Sequence, residues 1–180
     1  IAELPGILGD EAVHALVLTG EGGNFCAGGD IASMEGLNSK GARARMKANH
    51  QIVRLIAEAE KPVVTAIEGF AVGAGAGLAM LGDTAVVAEG GTIGFPFFKV
   101  GLIPDYGILH TLPRRAGGAK ARQILLYAKM VKAEEAVAFG LADELVIEGT
   151  AEEIAIERAR TLAAMPPFAF AIAKRQLGLA

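Results

Sequence analysis

The chain has 180 residues, of which 52% are apolar and 21% are charged, and its formal net charge is −3. This length fits one domain with a sizeable core, and the scattered lysines and arginines argue against the basic groove of a nucleic-acid-binding protein. The chain shows no membrane-spanning run of 18 apolar residues and no leader pattern. Its single cysteine excludes an internal disulfide, so a cytoplasmic protein is predicted.

Strand and helix patterns alternate along the chain. Short apolar runs between turn residues predict strands at 13–19, 62–67, 84–88, 92–95 and 142–147. Helical spacing of apolar residues predicts helices at 41–60, from 78 onward, at 114–128, at 133–140 and at 151–164. A last helical pattern over 166–180 reads as a helix that is cut short. The alternation favours an α/β layer structure.

Two glycine-rich turns are the most informative feature of this sequence. Residues 25–30 read Phe-Cys-Ala-Gly-Gly-Asp, and residues 73–77 read Gly-Ala-Gly-Ala-Gly. Each turn follows a strand-like run and precedes a helix-like stretch. One backbone N–H from each turn can therefore point at a single oxygen atom and form an oxyanion hole, which indicates acyl chemistry. The alternative is that these glycines only permit tight turns and close packing of a helix on a strand.

A nucleotide-binding interpretation of the second turn fits poorly. Its Gly-x-Gly-x-Gly spacing differs from the Gly-x-Gly-x-x-Gly fingerprint, and it lies several residues past the end of the strand. No Gly-Lys-Ser/Thr follows, which argues against a phosphate-binding loop. The three histidines, His14, His50 and His110, are far apart and show no metal-ligand spacing, so no metal site is predicted.

Several blocks of the sequence together resemble the crotonase, or enoyl-CoA hydratase/isomerase, superfamily. In the family's order they are residues 18–20, 24–30, 61–75, 78–83, 101–104, 112–114 and 133–142. The resemblance implies an α/β fold, a crotonase-like spiral of β-β-α units that binds an acyl-coenzyme A thioester. It places this core at 1–147 and the start of a truncated C-terminal helical region at 148–180. It also implies a homotrimer or hexamer, and no separate cofactor because coenzyme A is part of the substrate.

The same resemblance assigns the binding site by position. The thioester oxygen would accept hydrogen bonds from the N–H groups of Gly29 and Ala74, and losing one such donor typically costs about 3 kcal/mol. The other substrate-binding residues that it implies are Cys26, Ala27, Gly28, Asp30, Ile31, Gly73, Gly75, Phe97 and Leu102. Two of these have structural alternatives, since Asp30 suits a helix cap and Cys26 suits a small buried position.

Two positions depart from the hydratase pattern of this family. Hydratases that the sequence resembles carry two glutamates that hold and activate water, and this chain has Gly77 and Phe97 at those positions. Neither glycine nor phenylalanine can transfer a proton. Hydration by the usual machinery is therefore not expected.

One carboxylate remains nearby, at Asp105. Residues 97–105 (Phe-Phe-Lys-Val-Gly-Leu-Ile-Pro-Asp) resemble the isomerases of phenylacetyl-CoA breakdown, and dienoyl-CoA isomerases also resemble this chain in placing an aspartate here. Apolar neighbours would partly desolvate the carboxylate and raise its pKa toward that of a useful base. The alternative is a simple turn residue, because Pro-Asp-x-Gly is a common turn pattern.

The sequence thus predicts an acyl-CoA double-bond isomerase with Asp105 as its base. Next to this residue, Tyr106 either donates a hydrogen bond to the substrate or packs, and Met34 is expected to line the pocket. The alternatives are a hydratase or lyase with an atypical water activator, and a non-catalytic acyl-CoA-binding protein.

Overall fold

The computed structural model describes residues 3–179 as an alternating series of strands and helices. The strands are β1 (Leu16–Leu18), β2 (Val63–Ile67), β3 (Phe70–Val72), β4 (Thr84–Ala88), β5 (Thr92–Gly94), β6 (Met130–Lys132) and β7 (Glu144–Val146). The α-helices are α1 (Leu4–Gly9), α2 (Ser39–Ala57), α3 (Ala74–Ala79), α4 (Ile108–Ala116), α5 (Gly118–Leu126), α6 (Ala133–Ala138), α7 (Ala151–Ala163) and α8 (Pro167–Leu179). Short 3₁₀ turns lie at Ala32–Met34 and Phe97–Val100.

The strands form two sheets. The first sheet is fully parallel in the order β1-β2-β4-β7, and the second has the order β3-β5-β6, with β5 and β6 antiparallel. Every residue of β2 is buried, as expected for a central parallel strand that is covered on both faces.

The chain moves from the first sheet to the second and then into a helix, repeatedly. Strand β2 leads to β3 and α3, and β4 leads to β5 and the helices that follow. In the first turn of this spiral, a single β-bridge stands in the place of a strand of the second sheet. In this bridge Cys26 pairs in parallel with Ala71 of β3. This bridge is what brings the two glycine-rich turns next to each other.

The hydrophobic core has two main regions, one on each side of the parallel sheet, and a smaller third cluster of Ile56, Ala59, Val63 and Leu81 beside α2. The larger region is covered by α3 to α6, and its largest buried side chains are Ile67, Ile93, Phe95, Ile108, Leu112, Ile124 and Leu141. On the other face, three alanines of α7 pack on β2 and β4. Small side chains allow this helix to approach the sheet closely, so α7 shares a core with the strands.

The predicted α/β layer structure is confirmed, and most predicted elements are present with shifted ends. The strand at 84–88 is found with those bounds, whereas the pattern at 13–19 forms a strand only over Leu16–Leu18. The helix predicted from 78 onward begins at Ala74, directly after Gly73. The prediction of one continuous helix at 114–128 was wrong, because Gly117 at φ +76° separates α4 from α5.

Within residues 3–179 no helix is both long enough and apolar enough to cross a bilayer. The helical pattern at the C-terminal end is α8, a helix of 13 residues. It is attached to the body of the protein by Lys174, whose ammonium group lies 2.7 Å from the carboxylate of Asp83.

Candidate active site

The two glycine-rich turns are held together by backbone hydrogen bonds. The N–H of Cys26 donates to the carbonyl of Phe70, and the N–H of Val72 donates back to the carbonyl of Cys26, both at 2.9 Å. This pairing extends the second sheet by one residue and aligns the turn after Cys26 with the turn after Val72. The ladder therefore sets the relative positions of the two predicted donors.

Glycines are needed where the two turns touch. Gly28 has φ +104°, and a Cβ at this position would lie 2.8 Å from the carbonyl oxygen of Val72. A Cβ at Gly75 would overlap the carbonyl of Cys26 and lie 2.8 Å from its Cβ. The absence of both side chains lets helix α3 and the first turn approach to backbone contact.

The predicted oxyanion donors are both on the wall of one cavity. Gly29 and Ala74 line a cavity of about 650 Å³. Ala74 is the first residue of α3, where the helix itself offers no partner for the N–H group. In the part of the chain from 3 to 179, no hydrogen bond uses the N–H of Gly29 or of Ala74 as its donor.

Most of the predicted substrate-binding residues line the same cavity. They are Ala27, Gly28, Ile31, Gly73, Phe97 and Leu102. Cys26, Asp30 and Gly75 are not part of its wall. Cys26 and Gly75 instead form the contact between the turns, and the carboxylate of Asp30 accepts hydrogen bonds from the N–H groups of Ala32 (3.0 Å) and Ser33 (3.4 Å). Asp30 thus closes a local turn just before the 3₁₀ turn at Ala32–Met34, whose cap residue is Ile31, so its role is structural although it is not the helix cap itself.

Helix α2 contributes a wall that the sequence did not reveal. Ala42, Arg45, Met46 and Asn49 line the cavity at the i, i+3, i+4, i+7 spacing of one helix face. Arg45 is tied to the first turn, donating to the Oγ of Ser33 (2.6 Å) and to the carbonyl of Asp30 (3.4 Å). The sequence pattern that could have indicated this wall is the pair Arg45 and Asn49 on the same helix face as Met46. Polar residues of this kind are also ordinary on a helix that faces solvent.

Asp105 lies on the cavity wall, in the turn that precedes α4. Its carbonyl accepts a hydrogen bond from the N–H of Ile108 (3.0 Å), so the turn predicted for the Pro-Asp-x-Gly pattern is present. Burial raises the pKa of the Asp105 carboxyl above the ordinary aspartate range. Hydrogen bonds with its own backbone and with the side chain of Asn49, and electrostatic interactions with His50 and Arg45, oppose this rise. The Asp105 carboxyl is therefore partly desolvated, while neighbouring polar and charged groups stabilise its ionised form.

Tyr106 and Met34 also line the cavity, whereas His110 does not. The pKa of Tyr106 is raised, first by burial and then by the negative charge of Asp105. Its phenol is thus held in the protonated form at neutral pH, which suits a hydrogen-bond donor.

Comparison with known proteins identifies the family. A sequence model of the enoyl-CoA hydratase/isomerase family matches residues 2–179. The chain belongs to the enoyl-CoA hydratase/isomerase family. The predicted resemblance to the crotonase superfamily is thereby confirmed, and an acyl-CoA thioester is the class of substrate consistent with that family.

Relatives in this family carry both hydratase and isomerase names. The chain is 35% identical over 176 residues to the 1,2-epoxyphenylacetyl-CoA isomerase of Escherichia coli, covering 95% of this chain and 67% of that one. It is 39% identical over 138 residues to the crotonyl-CoA hydratase of Syntrophomonas wolfei, covering 76% of this chain and 53% of that one. The chain therefore spans roughly half to two thirds of the length of these relatives.

Solved structures of the family share the fold. An enoyl-CoA hydratase from Polaromonas is 30% identical and superimposes with a TM-score of 0.91, covering 98% of this chain and 70% of that one. An enoyl-CoA hydratase from Bacillus anthracis is 29% identical with a TM-score of 0.91, covering 98% and 69%. The crotonase-like α/β fold that the sequence resemblance implied is confirmed by these likenesses.

Family membership leaves the choice of reaction to the groups in the cavity. Asp105 is the one acidic residue on the wall of the cavity as residues 3–179 form it. At position 77 there is no room for a side chain, since a Cβ there would lie 2.5 Å from the Cβ of Tyr106 and 2.9 Å from its carbonyl oxygen. At position 97 the buried phenylalanine forms part of the wall.

Proposed function

We propose that this protein moves a double bond along the acyl chain of an acyl-CoA thioester. The observation that carries the proposal is the lining of the cavity as residues 3–179 form it: Gly29 and Ala74, whose N–H groups have no acceptor in that part of the chain, line it together with a single carboxylate, that of Asp105. Two donors and one base are sufficient for enolisation of a thioester. Activation of water by a pair of carboxylates requires a second acid that the cavity wall does not supply.

The proposed mechanism begins with the thioester oxygen between the N–H groups of Gly29 and Ala74. Asp105 removes a proton from the acyl chain, and the electron pair of that C–H bond flows into a dienolate whose negative oxygen the two donors stabilise. A proton then returns to a different carbon, and the double bond forms at the new place. The carboxylate ends the cycle ionised.

The acyl group is proposed to be largely apolar, with an aromatic, cyclic or branched body. The supporting observation is the composition of the wall, which combines Phe97 and Leu102 with Met34 and Met46. Aromatic and sulfur-containing side chains favour contact with flat or branched apolar groups.

The proposal is tested with Asp105→Asn. This variant keeps the shape of the side chain but cannot accept a proton as a base, so we expect turnover of a 3-enoyl-CoA to fall at least about 100-fold. Acyl-CoA binding should stay within a few-fold of the wild type. The matched control is Asp10→Asn, which changes an exposed aspartate at the end of α1 and should leave turnover unchanged. Undiminished turnover by Asp105→Asn would remove this residue from the mechanism.

Hydration is the second candidate, because the relative from Syntrophomonas wolfei is named a crotonyl-CoA hydratase and is 39% identical. A matched pair of substrates separates the two activities by ultraviolet absorbance. Loss of the enoyl thioester chromophore from crotonyl-CoA indicates hydration, and its gain from a 3-enoyl-CoA indicates isomerisation. Tight binding without either change would instead favour a non-catalytic acyl-CoA-binding protein.

Assembly into a homotrimer or hexamer is also proposed. Helix α8 supports it, since it exposes Phe168 to 80% and Leu177 to 76%, and large apolar groups on one helix favour a partner surface. Light scattering should give three or six times the chain mass. The absence of a separate cofactor and a cytoplasmic location stay predictions from the sequence.

A further inference from the structure

The turn that carries Asp105 has an unusual residue at its next position. Tyr106 has φ +49° and Gly107 has φ +77°, and the Asp105 carbonyl accepts the hydrogen bond that closes the turn. Two consecutive residues at positive φ are typical of a type I′ turn, which strongly prefers asparagine or glycine. A bulky tyrosine in this region is strained, and strained backbone of this kind is concentrated at functional sites.

This strained backbone places Tyr106 against Gly77, in the space that a side chain at position 77 would otherwise occupy. The Cβ of Tyr106 would lie 2.5 Å from a Cβ built on Gly77, so the two positions compete for one space. The tyrosine lines the cavity beside Asp105, and its phenol interacts electrostatically with Asp105, Arg45 and Cys26. Among residues 3–179 the Tyr106 hydroxyl has no hydrogen-bond partner, so its donor is available to a bound molecule.

We propose that the hydroxyl of Tyr106 is the second proton-transfer group of this site, returning a proton to the acyl chain after Asp105 has removed one. This inference rests on the proposed isomerase function. It assigns to Tyr106 the proton-transfer role that a second carboxylate would otherwise have. Asp105 and Tyr106 occupy separate points on one cavity wall, so they can serve two different carbons of the same acyl chain.

The proton and electron count of the cycle closes without another reactant. Asp105 takes a proton from one carbon, which leaves the dienolate and a neutral carboxyl group. The Tyr106 O–H bond breaks and leaves its electron pair on the phenolate oxygen, while the proton bonds to the second carbon through a terminal π pair of the dienolate. The oxyanion pair re-forms the thioester carbonyl, and the remaining π pair becomes the new double bond. The phenolate then takes the proton from the Asp105 carboxyl, which restores both residues. The raised pKa of Tyr106 keeps the hydroxyl protonated before each cycle.

Tyr106→Phe tests the proposal, because it removes only the hydroxyl and keeps the ring. In heavy water the variant should still exchange the acyl-chain hydrogen that Asp105 removes, while isomerisation falls about 100-fold, a typical effect of losing an acid–base group. Asp105→Asn should lose both reactions. The matched control is Tyr127→Phe, which changes a tyrosine that is 75% exposed and should leave both rates unchanged.

This experiment distinguishes three outcomes that would contradict the proposal. Isomerisation by Tyr106→Phe within about twofold of the wild type would overturn the assignment and leave the isomerase function standing. Parallel loss of exchange and isomerisation, with acyl-CoA affinity also lost, would show that Tyr106 only shapes the cavity. A wild-type protein that neither exchanges nor isomerises any 3-enoyl-CoA would overturn the proposed function itself, and the inference with it.

Discussion

The pKa of the Asp105 carboxyl is set by neighbouring groups whose effects oppose one another. Burial disfavours its charged form, whereas Asn49, His50 and Arg45 favour it, and burial has the larger effect. The outcome is a carboxyl group whose pKa lies above the ordinary range and which is still supported as an anion. A base of this kind binds a proton more readily than an exposed aspartate does.

The raised pKa of Asp105 has a defined consequence for stability. Because the folded-state pKa exceeds the unfolded-state pKa, ionisation costs more in the folded protein, and stability is lost as the pH rises through the folded-state pKa. Asp105→Asn removes that cost and should therefore unfold at higher urea concentration than the wild type at pH 7. The difference should shrink as the pH falls below the aspartate range, where the carboxyl is protonated in both states.

The same shift predicts the acid limb of the activity. A base must be ionised, so kcat/KM should fall as the pH drops through the Asp105 pKa, with a midpoint above that of an ordinary aspartate. Urea titrations at several pH values and a pH–rate profile check the two effects together. Equal stability of Asp105→Asn and wild type at every pH would contradict the assigned burial cost.

At the scale of elements, helix α3 is positioned by its contacts on every side. The hydroxyl of Thr65 in β2 donates to the carbonyl of Ala79 at the end of the helix (2.8 Å), and Gly75 packs on the first turn. Gly77 faces Tyr106 in the turn before α4. These contacts place Ala74 on the cavity wall, so we expect small changes in α3 to affect the site directly.

Gly77→Ala is expected to be destabilising, although alanine is the better helix former. Replacing glycine by alanine in a helix gains about 1 kcal/mol, but overpacking costs about 1–3 kcal/mol, and here a Cβ would lie only 2.5 Å from Tyr106. We expect a net loss of up to about 2 kcal/mol in urea unfolding, together with lower activity.

The matched control is Gly6→Ala in helix α1, where nothing lies within 4 Å of a Cβ. That variant should be neutral or up to about 1 kcal/mol more stable. A Gly77→Ala protein as stable as the wild type would show that the turn carrying Tyr106 can move away. The space at position 77 would then be open to a side chain.

At the scale of the whole molecule, α8 is joined to the parallel sheet by one ion pair. The Lys174 ammonium donates to Asp83 (2.7 Å) and to the carbonyl of Lys61 (3.1 Å), and the same carboxylate oxygen accepts the N–H of Val63 (2.8 Å). The two side chains are only 8% and 19% exposed. The backbone of Asp83 is accessible, so the pair is only partly buried, but breaking it from one side still leaves a charge without its partner.

Lys174→Met should therefore destabilise the protein by about 1–3 kcal/mol, between the values for an exposed and a buried pair. The double variant Asp83→Asn, Lys174→Met should recover part of that loss, since it removes the stranded charge as well. Urea unfolding measures both, with Lys40→Met at the exposed start of α2 as the control. An unchanged midpoint for Lys174→Met would mean that the ion pair contributes nothing to holding α8.

Local features of the fold were accessible from the sequence because they depend on neighbours in the chain. The run at 84–88 is apolar after Thr84 and forms β4 with those bounds, and the spacing of Met46, Ile52 and Ile56 predicts most of α2. Strands of three residues were missed at β3 and β6, since so short a run has no clear period and depends on pairing with distant strands.

By itself the sequence determined the class of protein: two glycine turns that require small residues, the absence of acids at positions 77 and 97, and one aspartate after Pro104. Only the tertiary structure decided what surrounds that aspartate. The bridge between Cys26 and Ala71 joins the turns, and α2 brings Arg45 across to them. Such contacts join segments far apart in the chain, and their energy depends on packing that no local pattern records.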